Sequence, residues 1–141
     1  MSAVPVVRLS HVSLSTPDLA RAVTFYQDVF GSDVAHEFRN DRGERYGVFL
    51  HVGAQTFLEL FNDAASSEAR TSRFRHFCFE VEDIAAAAER LRGLGYDVDV
   101  KRGRTDRILQ CFINDPDGNM IELQQHDEQS ELRDFIRSQS R

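Results

Sequence analysis

Two imidazoles and two carboxylates recur at matching places in this chain and could together hold a divalent metal. His11 and His76 are separated by 65 residues (76 − 11), and Glu59 and Glu122 by 63 (122 − 59). Each lies in a short apolar run that alternates as a strand does. Imidazole and carboxylate ligands of this kind suit an octahedral ion that keeps positions for water or substrate. The four residues therefore predict a divalent metal site.

Taken singly, each of these residues has a plainer structural explanation. A lone His in a strand is more often a hydrogen-bonded structural residue, and a lone inward Glu can pair with an Arg. Four such residues, matched across two halves of one chain, are difficult to explain independently. The repeat therefore favours a shared site.

The surrounding pattern of predicted elements repeats as well. Each half reads as strand, helix and three strands, which predicts that the two halves fold alike. Asp18 and Asp83 are also 65 residues apart (83 − 18). Asp18 is the second residue of the first predicted helix, and Asp83 directly precedes the second. The predicted strands cover residues 6–14, 34–39, 46–52 and 56–61 in the first half and 74–81, 96–100, 108–114 and 119–124 in the second. The predicted helices cover residues 17–30 and 84–94.

Local signals set the bounds of these elements. Thr16 is predicted to cap the first helix, with Pro17 in its first turn and Gly31 at its end. That helix has one apolar stripe, made by Leu19, Ala22, Val23, Tyr26 and Phe30. In the second half, the run Asp-Pro-Asp-Gly at residues 115–118 predicts the turn of a hairpin whose second strand carries Glu122.

The sequence predicts an α+β fold built from two tandem βαβββ modules that form a curved mixed sheet around a cavity. The modules are expected at residues 1–62 and 74–125, joined by a small, polar linker at residues 63–73. Residues 126–141 are expected to form a short closing helix and tail. Leu132, Phe135 and Ile136 would share one face of that helix.

Composition excludes several classes of function. The chain has 17 basic and 23 acidic residues and a net charge of −6, which argues against a nucleic-acid or anionic-membrane partner. No apolar run is long enough to span a bilayer, and the first residues lack a leader pattern, so we expect a cytoplasmic protein. Cys78 and Cys111 lie in apolar runs and are predicted to be buried free thiols.

Strand alternation predicts which side chains accompany the proposed ligands. Phe57 and Phe61 share the face of Glu59, Cys78 that of His76, and Met120 that of Glu122. These residues are the candidate walls of a substrate cavity. A basic cluster, Lys101, Arg102, Arg104 and Arg107, either binds an anionic group of the substrate or forms a solvated hairpin tip.

Several segments resemble the vicinal oxygen chelate superfamily, which includes glyoxalase I, methylmalonyl-CoA epimerase, extradiol dioxygenases and the fosfomycin and bleomycin resistance proteins. The resemblance extends from about residue 9 to residue 124. The segments that carry it are HVSL at 11–14 with the helix DLARAVTFY at 18–26, FLEL at 57–60, RHFCF at 75–79, and DPDGN at 115–119 followed by IEL at 121–123.

The order His, Glu, His, Glu is similar to the ligand order of bacterial glyoxalase I. That resemblance implies Ni, Co or Zn as the metal, with Fe and Mn also compatible, and modules that pair within a chain or across a homodimer. It implies a small-molecule substrate whose carbon-bound proton leaves to give a metal-bound enediolate. Glu122 is the first candidate for the catalytic base and Glu59 the second, with His11 and His76 as fixed ligands.

One departure from glyoxalase I bears on the substrate. Glyoxalase I places an Arg that binds glutathione four residues after the first ligand, and this chain has Ser15 there, so glutathione stays open as a co-substrate. An Asn of that family has only an approximate counterpart in Asn62. The alternatives are an epimerase or isomerase of a small 2-oxo or hydroxy acid, an extradiol-type dioxygenase, and a non-catalytic protein that sequesters a ligand.

Overall fold

The computed structural model describes residues 8–64, 74 and 76–139. It divides into two compact units, Met1–Thr71 and Ser72–Arg141. Most of the expected linker, residues 65–73, lies outside the described residues. The first unit contains β1 (His11–Thr16), α1 (Leu19–Phe30), β2 (Asp33–Arg39), β3 (Arg45–Gly53) and β4 (Thr56–Asn62). The second contains β5 (Phe77–Glu80), α2 (Ile84–Gly93), β6 (Lys101–Arg102), β7 (Leu109–Asn114), β8 (Met120–Gln125) and α3 (Arg133–Gln139).

Each unit has one four-stranded mixed sheet, and the two sheets have the same topology. The strand orders are β1-β4-β3-β2 and β5-β8-β7-β6. In each, the first strand runs parallel to the last, and the remaining pairs are antiparallel. The prediction of an α+β fold made of two βαβββ modules is confirmed, with two separate four-stranded sheets.

One face of each sheet packs against the helix of its own unit. In the first unit, Val48, Leu50, Leu58 and Leu60 are at most 2% exposed, and Tyr26 of α1 is fully buried. Full burial of such side chains contributes about 1.5–3 kcal/mol each. Because strand side chains alternate, the neighbouring residues on these strands lie on the opposite face, away from the helix. The corresponding face of the second sheet carries Phe77, Cys111, Ile113, Ile121 and Leu123.

The cap of α1 differs from the prediction. Asp18, not Thr16, is the N-cap: its carboxylate accepts a hydrogen bond from the backbone N–H of Arg21 at 3.0 Å. Thr16 lies two residues earlier, and its hydroxyl accepts from the N–H of Asp18. Pro17 therefore precedes the helix. Asp83 caps α2 in the same way, since its carboxylate accepts from the N–H of Ala86. The two capping residues are therefore 65 residues apart, as His11 and His76 are.

Two predicted strands are clearly shorter than expected, and a third is absent. The strand over residues 6–14 begins at His11, although residues 6 and 7 are outside the described range, and the strand over residues 74–81 is Phe77–Glu80. Residues 96–100 form no strand, and β6 has only two residues. In that segment Val98 turns inward and its carbonyl accepts from Arg92 of α2, while Asp97 and Asp99 are exposed. Alternating aspartates disfavour a strand.

The predicted closing helix is present as α3. Phe135 and Ile136 of α3 are nevertheless 64% and 38% exposed, and Leu132, which directly precedes the helix, is 48% exposed. The prediction of a short C-terminal helix is confirmed. No helix in the described part of the chain is long and apolar enough to cross a membrane.

Candidate metal centre

In the second unit, two of the four predicted ligands are in direct contact. Nε2 of His76 lies 2.8 Å from Oε2 of Glu122. Glu122 is nine-tenths buried in the middle of β8, and His76 directly precedes β5. Among the described residues, His76 is the only ion-pair partner that the carboxylate of Glu122 has. A buried carboxylate is costly without a positive partner, so the pair is suited to a cation.

The hairpin turn before β8 fixes where Glu122 lies. Oδ1 of Asp115 accepts from the N–H groups of Asp117 and Asn119, both at 2.9 Å, and Oδ2 accepts from the side chain of Asn119 at 2.8 Å. Gly118 takes a φ of 83° in this turn. The turn sets the pairing of β7 with β8, which places Glu122 opposite Phe112.

The first unit places its own His and Glu in the same relation. Ser13 of β1 pairs with Glu59 of β4, as Cys78 of β5 pairs with Glu122 of β8. His11 lies two residues before Ser13, and His76 two residues before Cys78. Residues two apart in a strand share a face. His11 and Glu59 are therefore diagonal neighbours on one face, as His76 and Glu122 are.

A hydroxyl group adjoins the imidazole of His11. Oγ of Ser10 lies 3.3 Å from Nδ1 of His11, within hydrogen-bonding distance. When Nδ1–H donates to this oxygen, the lone pair is on Nε2 and is available to a metal. The ring also meets Phe49 edge to face, with centroids 5.5 Å apart.

Within either unit, the described residues bring no three His, Cys, Asp or Glu side chains together in a way that could hold a metal. Each unit contributes one His and one Glu from the predicted set.

Phe57 and Phe61 lie on the face of Glu59, half-buried, as the alternation of β4 requires. They belong to an aromatic wall that also includes Phe38 and Phe49. Centroid distances within this wall are 5.1 Å for Phe38 and Phe61, 5.3 Å for Phe38 and Phe49, and 6.0 Å for Phe49 and Phe57. Sequence reasoning missed Phe38 and Phe49, although their alternation in β2 and β3 carried the signal.

His36 and His51, to which the sequence assigned no role, also lie on this face. His36 pairs with Phe49 after a β-bulge at Ala35, and both bulge residues line a cavity of about 350 Å³ beside His11. A β-bulge changes the direction in which the neighbouring side chains point. No feature of the sequence marks this one.

Cys78 differs from its predicted burial. The residue is exposed on the face of Glu122, whereas Cys111 is buried as expected. Partial removal of the Cys78 thiol from water, reinforced by the carboxylates of Glu122 and Glu80, raises its pKa to about 12. The thiol therefore stays protonated at neutral pH. Met120, the other predicted wall residue of this unit, is 43% exposed.

The predicted basic cluster is largely engaged in structural contacts. Arg102 makes a bidentate pair with Asp127, at 2.9 and 2.6 Å, and donates to the carbonyl of Arg107. Arg107 donates to the side chain of Gln129 at 3.2 Å. These contacts attach residues 127–129 to the loop after β6. Arg104 is exposed on the same loop.

Known proteins resemble this chain along most of its length. Residues 8–123 match the model of the Glyoxalase/Bleomycin resistance protein/Dioxygenase superfamily. A lactoylglutathione lyase of Salmonella typhimurium is 32% identical over 123 residues, which cover 83% of this chain and 91% of that protein. The mitochondrial methylmalonyl-CoA epimerase of Mus musculus is 28% identical over 132 residues, covering 84% and 72%. The crystal structure of a lactoylglutathione lyase from Agrobacterium tumefaciens has a TM-score of 0.66 and 25% identity, covering 86% and 95%.

Proposed function

Because the chain belongs to the Glyoxalase/Bleomycin resistance protein/Dioxygenase superfamily, we propose that it is a divalent-metal-dependent lyase or isomerase of the glyoxalase I type. The proposed ligands are His11, Glu59, His76 and Glu122. The observation that carries the proposal is the contact between His76 and Glu122. Its counterpart on the first sheet has the same strand pairing.

The donor set fits such an ion. Ligand atoms in neighbouring positions of an octahedral ion, each about 2.1 Å from it, are about 3.0 Å apart. Nε2 of His76 and Oε2 of Glu122 are 2.8 Å apart, close to that separation. Mixed nitrogen and oxygen ligands suit Ni, Co or Zn.

In this proposal Glu122 removes and returns the proton on the carbon next to the substrate carbonyl. A bound divalent cation polarises that carbonyl and stabilises the negative charge that develops on its oxygen. Glu122 lies between Cys78 and Phe112 on the adjoining strands, and this setting limits access of water to the carboxylate. Glu59, whose neighbour on β3 is Phe49, is the second candidate for the base.

The substrate is proposed to be a small molecule, and the two ligand pairs are proposed to meet within one chain or in a homodimer. Lactoylglutathione lyase activity is supported by the names of similar proteins. A specific residue favours a second candidate, an epimerase or isomerase of a small 2-oxo or hydroxy acid, because Ser15 cannot bind a glutathione carboxylate as an Arg would. An epimerase is also among the similar proteins.

The metal hypothesis is tested by titrating metal-free protein with Ni²⁺ in a calorimeter. We expect stoichiometric binding that is lost in His76→Ala and Glu122→Gln and kept in Glu82→Gln, which changes an exposed carboxylate outside the sheet. Wild-type protein that binds no Ni²⁺, Co²⁺ or Zn²⁺ would point to the ligand-sequestering alternative.

The reaction class is tested separately with metal-loaded protein. A glyoxalase converts the hemithioacetal of methylglyoxal and glutathione to product, whereas an epimerase exchanges the substrate C–H proton with D2O without glutathione. Oxygen uptake with Fe²⁺ and a catechol would indicate a dioxygenase. Glu122→Gln should abolish whichever proton transfer is observed.

A further inference from the structure

The first unit has two adjoining cavities that share some of their lining residues. The first, of about 350 Å³, is lined by Ser10, His11, Ala35, His36, Phe49 and Phe57. The second, of about 620 Å³, is lined by Arg8, Ser10, His51, Ala54, Gln55 and Phe57. Ser10 and Phe57 border both cavities. A ligand that extends past these two residues could therefore occupy both.

The first cavity has aromatic walls held in place by one another. Phe49 and Phe57 meet edge to face with centroids 6.0 Å apart, and Phe49 also contacts the ring of His11. A cavity of about 150 Å³ is large enough for benzene. A planar aromatic group with a substituent would therefore fit within 350 Å³.

The second cavity adds a positive charge. Among the described residues that line either cavity, Arg8 is the one Lys or Arg, and none is an Asp or Glu. Nε2 of His51 lies 2.7 Å from the carbonyl oxygen of Ala54 and donates to it. The protein has a net charge of −6, so a positive side chain without a carboxylate among the described lining residues is distinctive. Such a setting favours binding of an anion. A guanidinium group binds a carboxylate through two parallel hydrogen bonds.

We propose that the two cavities form one subsite for an acid that carries a planar aromatic group. The ring lies against Phe49 and Phe57, and the carboxylate lies toward Arg8. The proposal rests on the proposed function in one respect: His11 borders the subsite, so the bound acid would be the substrate of the metal centre. The carboxylate belongs either to a simple aromatic 2-oxo acid or to the thiol part of an aromatic glutathione adduct.

Binding can be measured without metal and without turnover. Metal-free protein in EDTA is titrated with phenylglyoxylate, with S-benzylglutathione, and with pyruvate, which has the carboxylate but no ring. We expect at least one of the two aromatic acids to bind and pyruvate to bind at least about tenfold more weakly. Preference for phenylglyoxylate identifies the simple acid, and preference for S-benzylglutathione identifies the thiol adduct.

Two variants test the two parts of the subsite. Arg8→Gln should weaken binding of the aromatic acid about tenfold, and Ala35→Phe should abolish it by filling the cavity. Matched controls are Arg42→Gln in an exposed turn and Ala20→Phe on the exposed side of α1, and both should bind as the wild type does. Circular dichroism of each variant checks that it is folded.

The proposal is overturned if neither aromatic acid binds, or if binding is the same in Arg8→Gln and Ala35→Phe as in the controls. Failure of the metal hypothesis would appear elsewhere, as absence of Ni²⁺ binding by the wild-type protein. The two results are therefore distinguishable.

Discussion

The ring of Phe61 occupies the space directly over the backbone of Gly47. A β-carbon built on Gly47 would lie 2.4 Å from Cδ1 and 2.7 Å from Cε1 of that ring. The two residues pair across β3 and β4, and the ring also stacks on Tyr46 at 6.1 Å. The absence of a side chain at position 47 therefore lets Phe61 lie flat in the aromatic wall beside Glu59.

Gly47→Ala should destabilise the first unit. The added methyl group must push Phe61 or the backbone aside, and overpacking of this kind costs about 1–3 kcal/mol. The free energy of unfolding in urea measures the effect. Gly93→Ala is the matched control, because a β-carbon there meets nothing within 4 Å and Ala in a helix is favoured over Gly by up to about 1 kcal/mol. A Gly47→Ala protein as stable as the wild type would show that Phe61 moves without cost.

Ser10→Ala should weaken metal binding without unfolding the protein. Oγ of Ser10 is 3.3 Å from Nδ1 of His11, and loss of a group that orients a ligating His typically reduces metal affinity about 10- to 100-fold. Calorimetry with Ni²⁺ and the absorption spectrum of the Co²⁺ protein provide two readouts. Ser10→Thr keeps the hydroxyl and should retain the affinity, as should Ser15→Ala on β1, which begins directly after Ser10. Equal Ni²⁺ affinity in all four proteins would remove Ser10 from the site.

Metal should stabilise the folded chain by mass action. An ion present at 100 times its dissociation constant stabilises the native state by about 2.7 kcal/mol, so Ni²⁺ should raise the Tm of the wild type by several degrees. Glu59→Gln and Glu122→Gln should each lose most of this shift, because both carboxylates are proposed ligands. Thermal unfolding followed by circular dichroism, with Glu89→Gln as an exposed control, checks the expectation. A shift that persists in both variants would assign the metal to other residues.

The parts of the fold that could be predicted depend on local pattern and on the repeat. Alternation places Phe57, Phe61 and Glu59 on one face, and the turn at Asp115 fixes the strand that carries Glu122. The parts that could not be predicted depend on contacts between distant residues or on irregular backbone. The bulge at Ala35 has no sequence signal.

The role of the basic cluster also could not be predicted from the sequence alone. Four cationic residues within seven positions indicate an anion site as readily as a solvated hairpin tip. Asp127 lies 25 residues further along the chain (127 − 102), and its carboxylate accepts hydrogen bonds from Nη1 and Nη2 of Arg102. This pairing gives Arg102 a structural role. Only the folded chain brings the two together.

The Arg102–Asp127 pair should make stability depend on pH. The guanidinium of Arg102 holds the pKa of the Asp127 carboxyl well below its ordinary value of about 3.9. A carboxyl whose folded-state pKa is depressed stabilises the protein fully above its unfolded-state pKa, and this contribution is lost as the pH falls toward the folded-state value. The pair should therefore contribute fully at pH 7 and progressively less below about pH 4.

Asp127→Asn tests this dependence. We expect the variant to have a lower urea midpoint than the wild type at pH 7 and a smaller difference at pH 3, where the wild type has begun to lose the same contribution. The effect should be modest, because both side chains are partly exposed to solvent, which screens the pair. Asp41→Asn, in the exposed turn between β2 and β3, should differ from the wild type by the same small amount at both pH values. A difference for Asp127→Asn that is equal at pH 7 and pH 3 would mean that the carboxylate does not stabilise the loop through its charge.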